Sequence, residues 1–226
     1  MTIAAAIPHK NGIVICADSQ ITYPSGLKYF DSKVFPIPLA EVQAIFTFAD
    51  QANLACEVRD EITQRLASAV KDSGADGLRF TDFYEVTRAV ANDYGRLYVE
   101  QPLNFLLAVC PKNGNPSVIH FDGKAVTSAH NKVFVIGCGN DTLTKFLVDR
   151  LYSLDMDERD ALVLGAYLVR KATLYIHGCD GPISMISVNK EGFEIVTKDK
   201  IQAAYEGAER EETNLFQMFI RKPFEF

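Results

Sequence analysis

The sequence predicts an α+β fold, a four-layer αββα sandwich: two antiparallel sheets packed together, with helices covering both outer faces. Three observations predict it. The elements run as strands, two helices, strands, two helices, strands, without the β-α-β-α alternation of a doubly wound parallel sheet. Short turn-forming stretches such as "PHKN", "KNGN" and "NKEG" join consecutive strands, which makes hairpins. The 226 residues are 48% hydrophobic and carry no linker, low-complexity segment or short repeat. That is enough for a sizeable core in one domain over residues 1–226, with an extension from about residue 201.

Thr2–Ile7 and Gly12–Ala17 read as strands joined by "PHKN", and "YPSG" is a turn. Lys33–Ile37 is a short strand interrupted by Pro36, and Val42–Ala49 is a buried strand. From Gln51 to about Lys71 the period turns helical, with Leu54, Val58, Ile62, Leu66 and Val70 four residues apart. "DSGADG" ends that helix. Thr81 or Asp82 caps a second helix to about Glu100, with Phe83, Val86, Val90 and Tyr94 on one face. "NFLLAVC", "PSVIHF" and "KVFVIG" are strands, with "DGK" as a turn between the last two. "CGNDTLTKFLVDRLY" is a glycine turn entering a helix. "MDERDALVLGAYLVRKATLY" is a further helix whose acidic first turn suits the helix dipole. "ISMISVNKEGFEIVTK" is a hairpin, and a polar helix begins at Ile201.

Composition excludes several function classes. A net charge of −6 and a pI near 5.3 supply no basic field for nucleic acid. No apolar run approaches the roughly 20 residues that span a bilayer, and the start lacks a signal-peptide layout. Cys16, Cys56, Cys110, Cys138 and Cys179 are odd in number and widely spaced, which fits reduced thiols in a cytoplasmic protein. The histidines form no spaced ligand cluster with them, so neither zinc nor any other cofactor is expected.

Two features point to chemistry. Thr2 stands directly behind Met1, and Asp18 ends the second strand. Each is ordinary alone. "TIAAAI...GIVICADSQIT" resembles the threonine-led opening of proteasome-type β-subunits, a strand followed by "GVVLAADSRAT", with the spacing from Thr2 to Asp18 free of gaps. "SKVFPI" resembles the family's "KKVxxI" strand and puts Lys33 at its catalytic lysine. "VFVIGCGNDTLTKFLVDRLYSLDMDERDALVLGAYLVRKAT" resembles the later "SVGSG…" region and the helices after it. The resemblance covers nearly the whole chain and is weakest between Lys71 and Gln101. It implies an N-terminal-nucleophile (Ntn) hydrolase fold and threonine peptidase activity.

On that resemblance Thr2, Asp18 and Lys33 are the catalytic residues. A threonine freed at its amine carries nucleophile and base on one residue. The α-amine titrates near 7.7–8.0, close to neutral pH. Removal of Met1 is the condition, because a retained Met1 acylates the amine. Lys33 favours the developing alkoxide, and Asp18 keeps Lys33 charged and oriented. Gln20 and Thr22 fall where the family holds substrate as an added strand. Read singly, the same residues are a strand lysine and a turn aspartate.

Departures from the family pattern surround this set. The serine of the "GSG" turn is Cys138, and the supporting aspartate and serine after the last long helix are Ile176 and Cys179. A thiol is a weaker donor than a hydroxyl. The oxyanion-hole glycine aligns with Asp50, whose N–H can donate while its carboxylate repels an oxyanion if turned inward. Inert packing is the favoured reading of the two cysteines, with a redox-sensitive pair as the rival. His177 reads as a turn residue. Leu215, Phe216, Met218, Phe219 and Ile220 form an apolar patch in the tail. Such a patch suits subunit contact in a ring or helical homo-oligomer or packing on the chain's own domain.

The leading expectation is therefore a threonine hydrolase acting on peptides or proteins in a homo-oligomer; an ATP-dependent unfoldase partner is left open. The alternatives are a catalytically impaired subunit with an assembly or binding role, and an amidase acting on small molecules.

Overall fold

The computed structural model describes residues 2–22, 25–39, 43–73, 77–97, 103–138 and 142–221, and for 72–73, 142–143 and 214–221 the backbone only. The chain begins with β1 (Ile3–His9), β2 (Gly12–Ala17), β3 (Gln20–Thr22), β4 (Lys28–Phe30), β5 (Val34–Pro38) and β6 (Gln43–Asp50). Two helices follow, α1 (Ala52–Ser73) and α2 (Phe80–Leu97). Then come β7 (Leu103–Cys110), β8 (Ser117–Phe121), β9 (Val126–Ala129) and β10 (Phe134–Gly137). Helices α3 (Thr142–Leu151) and α4 (Glu158–Tyr175) lead to β11 (Ser184–Asn189), β12 (Phe193–Ile195) and α5 (Lys198–Arg221).

One sheet has the order β10-β1-β2-β11-β12 and the other β5-β6-β7-β8-β9, with every pair of neighbouring strands antiparallel. The layers follow from side-chain alternation along the strands. Ile3, Ala5 and Ile7 of β1 pack with α4, while Ala4 and Ala6 face the other sheet. Phe46 and Phe48 of β6 pack with α1 and α2, while Ile45 and Ala49 face inward. Both faces of these strands are buried, so they read as continuous apolar runs. The alanines at the centre let the sheets approach closely. β3 and β4 form a separate hairpin beside the sheets.

The structure adjusts several boundaries. Strand β1 starts at Ile3 and runs through Pro8 and His9, leaving only Lys10 and Asn11 in the turn. β9 forms in the stretch after the "DGK" turn, where the sequence reading has no strand. Helix α2 begins before Thr81. Asp82 sits in its first turn and accepts the Arg79 N–H at 2.7 Å, so its carboxylate reaches back to the helix start. Asp157 caps α4, accepting from the Asp160 N–H at 2.9 Å. Pro36 is tolerated because β5 is an edge strand. α5 starts before Ile201. The side chains of the apolar tail patch, and Met1, lie outside the described residues.

Among the described residues no helix is long and apolar enough to cross a membrane.

Candidate active site

Thr2 precedes β1, Asp18 follows β2, and Lys33 precedes β5. The sheets bring all three to one end of the sandwich. Lys33 Nζ donates to Thr2 Oγ1 at 2.8 Å and to Asp18 Oδ1 at 2.9 Å. Thr2, Lys33 and Asp18 are 5%, 1% and 0% exposed respectively, so the ammonium has almost no water to replace these partners.

Asp18 is held on every side. Oδ1 also accepts the Ile3 N–H at 3.0 Å, and Oδ2 accepts the N–H groups of Gln20 at 3.2 Å and Asp180 at 3.3 Å. Its own N–H donates to Ile3 O at 3.1 Å. These bonds tie the end of β2 to β1, β3 and the loop after α4. Burial pushes the Lys33 pKa below its ordinary value, and the Asp18 carboxylate draws it partly back.

The Thr2 carbonyl is gripped from β10. The Cys138 N–H reaches Thr2 O at 2.8 Å, and Cys138 Sγ lies 3.0 Å from the same oxygen. Gly137 has φ 74°, and a Cβ there would overlap Thr2 O. Only glycine allows β10 to close this tightly over the start of β1.

Gln20 is buried, with its Nε2 donating to Gly178 O at 3.0 Å and to Thr22 Oγ1 at 3.4 Å. Its side chain therefore braces the loop after α4, while Thr22 is exposed at the end of β3. Asp50 ends β6 with φ 77°, the left-handed backbone that glycine adopts freely. Its side chain is solvent-exposed by area. The surrounding protein still raises its pKa by desolvation. Ile176 follows α4 with its side chain on the helix-side core, so no carboxylate stands at that position. His177 lies in the turn after it.

The cysteines depart from five reduced, inert thiols. The structure joins Cys138 to Cys179, with Cα atoms 7.8 Å apart, while Cys16, Cys56 and Cys110 are free. The physical reason is convergence: the end of β10 and the loop after α4 both wrap the start of β1. Asp180 is a contributor that sequence reasoning missed. Its backbone N–H meets Asp18 across a separation of 162 residues, which no local pattern signals. The nearest signal was the glycine pair in "GCDG". Among the described residues no group of three or more His, Cys, Asp or Glu side chains is placed to hold a metal ion.

Similarity to solved structures is extensive in shape and slight in sequence. Anbu from Hyphomicrobium sp. strain MC1 superposes with a TM-score of 0.76 at 16% identity, covering 99% of this chain and 100% of that one. This chain has the Anbu fold. A Gly-1 mutant of the Hyphomicrobium protein gives 0.75 at 15% identity, covering 96% and 100%. Anbu from Yersinia bercovieri, described as an ancestral beta-subunit, gives 0.72 at 14% identity over 99% of both chains. No protein-family model matches the chain, and no curated protein matches it. The Anbu fold therefore rests on shape: two sheets and their covering helices align over nearly the full length.

Proposed function

We propose that this protein is a proteasome-type threonine hydrolase whose nucleophile is the Thr2 hydroxyl, exposed for catalysis by removal of Met1. One observation carries the reading: Lys33 Nζ stands 2.8 Å from Thr2 Oγ1 and 2.9 Å from Asp18 Oδ1 in a buried setting. A lysine held only for stability needs its carboxylate partner but has no need of a threonine hydroxyl.

The reaction is acyl transfer. The freed α-amine of Thr2 takes the hydroxyl proton as Oγ1 attacks a peptide or amide carbonyl carbon. The Lys33 ammonium stabilises the developing alkoxide, and Asp18 holds that ammonium in place. The C–N bond breaks, the leaving amine receives the proton, and Thr2 carries an ester. Water then attacks the ester, with the amine again as base, and restores the hydroxyl. The Asp50 backbone N–H is the candidate donor to the oxyanion, and Gln20 and Thr22 border the strand on which an extended peptide would lie.

The description of the Yersinia relative as a beta-subunit supports assembly of this chain with further copies of itself.

Intact mass decides the first condition: the purified native protein lacks Met1. A threonine-directed electrophile then labels Thr2, and Thr2→Ala abolishes the labelling. Quantitative retention of Met1 in the native host overturns the mechanism.

The second reading is a subunit of the same fold that has lost efficient turnover and serves assembly or binding. Ile176 and Asp50 favour it, since one leaves a carboxylate position apolar and the other puts an acidic residue where the candidate oxyanion donor stands. Peptide turnover that disappears in Thr2→Ala removes this reading. A panel of small amides against peptides separates an amidase from a peptidase.

A further inference from the structure

Cys138 and Cys179 lie 41 residues apart in sequence, one just after β10 and the other in the loop after α4. They meet beside the Thr2 carbonyl. We propose that this pair is a reversible thiol–disulfide modification site controlling the Thr2 centre, with the dithiol competent and the disulfide impaired. The control of chemistry rests on Thr2 being the nucleophile; the modification itself does not.

In the disulfide, the Cys138 N–H donates to Thr2 O at 2.8 Å and Cys138 Sγ lies 3.0 Å from the same oxygen, where reduction to the thiol supplies a second donor. A disulfide sulfur has no proton, so oxidation removes the second donor. The bond ties the two backbone segments to each other, and its reduction releases them. Both segments are attached to the site. The first holds Thr2 O through the Cys138 N–H; the second holds Asp18 Oδ2 through the Asp180 N–H at 3.3 Å and receives the Gln20 N–H on Asp180 O at 3.0 Å. The bond therefore constrains the Thr2 carbonyl on one side and the partner of Lys33 on the other.

Access suits exchange at Cys138, which is half-buried, while Cys179 is 3% exposed. The remaining cysteines compete poorly. Burial pushes the Cys16 and Cys110 thiols up to about 12 and raises that of Cys56, which depletes the reactive thiolate.

The oxidant is a small-molecule disulfide of the glutathione class. The Cys138 thiolate attacks one of its sulfurs, expels one small thiol and forms a mixed disulfide. The Cys179 thiolate then attacks the Cys138 sulfur and expels the second small thiol. Two protein thiols give up two electrons and two protons, and the oxidant's disulfide takes them up as two thiols.

The test uses the full-length protein equilibrated with oxidised or reduced glutathione. Peptide mapping should find the Cys138–Cys179 link in the first and lose it in the second. Thr2 labelling by a threonine-directed electrophile should slow about tenfold on oxidation, the effect expected from losing one hydrogen bond at the centre, and should recover on reduction. Amide hydrogen exchange at Ile3 and Cys138 should differ between the two states. In the double variant Cys138→Ser/Cys179→Ser, or Cys138→Ala/Cys179→Ala if the first does not fold, neither the link nor a mixed disulfide can form at this site, and labelling and exchange should ignore the redox state. The proposal is overturned if no link forms in oxidised glutathione, or if it forms and neither labelling nor exchange changes. Thr2 unlabelled in both states sinks the nucleophile reading alone; mapping and exchange then decide the modification site.

Discussion

Asp18 and Lys33 form an ion pair 2.9 Å long with 0% and 1% of their side chains exposed. Burying two charges costs several kcal/mol each before they meet. Here the carboxylate recovers much of that cost through three backbone N–H groups besides the ammonium. The pair is thus a fixed part of the fold that also aims Lys33 at Thr2.

Breaking it from the acidic side should be severe. Asp18→Ala leaves a buried ammonium and three backbone N–H groups without their acceptor. A loss of about 3–5 kcal/mol is expected, measured by equilibrium urea unfolding. A loss below about 1 kcal/mol would show that Lys33 is not charged in the wild-type fold.

Lys33→Ala addresses function. Removing a preorganised positive donor beside a developing oxyanion lowers rates by about 10²–10³-fold. Thr2 labelling should slow by that order, in a protein whose circular dichroism spectrum stays native. Unchanged labelling would remove Lys33 from the mechanism.

Gly137→Ala tests the clamp on Thr2. An alanine must either hold φ near 74° or force β10 away from Thr2 O. Left-handed strain alone costs about 1–3 kcal/mol, and the Thr2 overlap adds to it. The expected result is a lower urea midpoint together with slower labelling. Gly192→Ala is the control, because a Cβ there meets open space.

Asp50 occupies a backbone conformation suited to glycine. Asp50→Gly removes the strain and the carboxylate together, so stability should change by less than about 1 kcal/mol while labelling quickens. Asp50→Ala keeps the strain without the side chain and should be the less stable of the two. Slower labelling in Asp50→Gly would assign the carboxylate a positive role.

Acid stability should show the buried histidines. Burial lowers the pKa values of His9 and His120, against Glu158 and Asp157 for His9 and Asp122 for His120. The unfolded chain takes up protons near 6.5, while the folded chain resists them. Stability therefore falls as pH drops from about 6.5 toward the lower folded values, by at most about 1.4 kcal/mol per pH unit for each histidine. His9→Phe keeps a ring over Gly12 and cannot titrate. Its urea midpoint should depend less steeply on pH in that window, and an unchanged slope would remove His9 as a contributor.

Local pattern made much of the fold legible. The helical period of Leu54, Val58, Ile62 and Leu66 marks α1, and those four residues are buried against the β6 sheet. The double-sided apolar runs of β1 and β2 mark central strands. β9 escaped because its burial is partial and its residues, "VTSA", carry little hydrophobic signal. Thr2, Asp18 and Lys33 were legible as a set only through the resemblance to proteasome-type β-subunits, which states no distance between them.

By itself the sequence determined which elements form, since hydrophobic period and turn chemistry act over a few residues. It also determined which residue types are available to the site. Only the tertiary structure decided what meets. Antiparallel pairing of β1 with β2 and β10 brings Asp18, Gly137 and Cys138 around Thr2. The loop after α4 adds Cys179 and the Asp180 N–H from the far end of the chain. Contacts across such separations depend on how buried faces stack into layers, and that stacking is a property of the whole core.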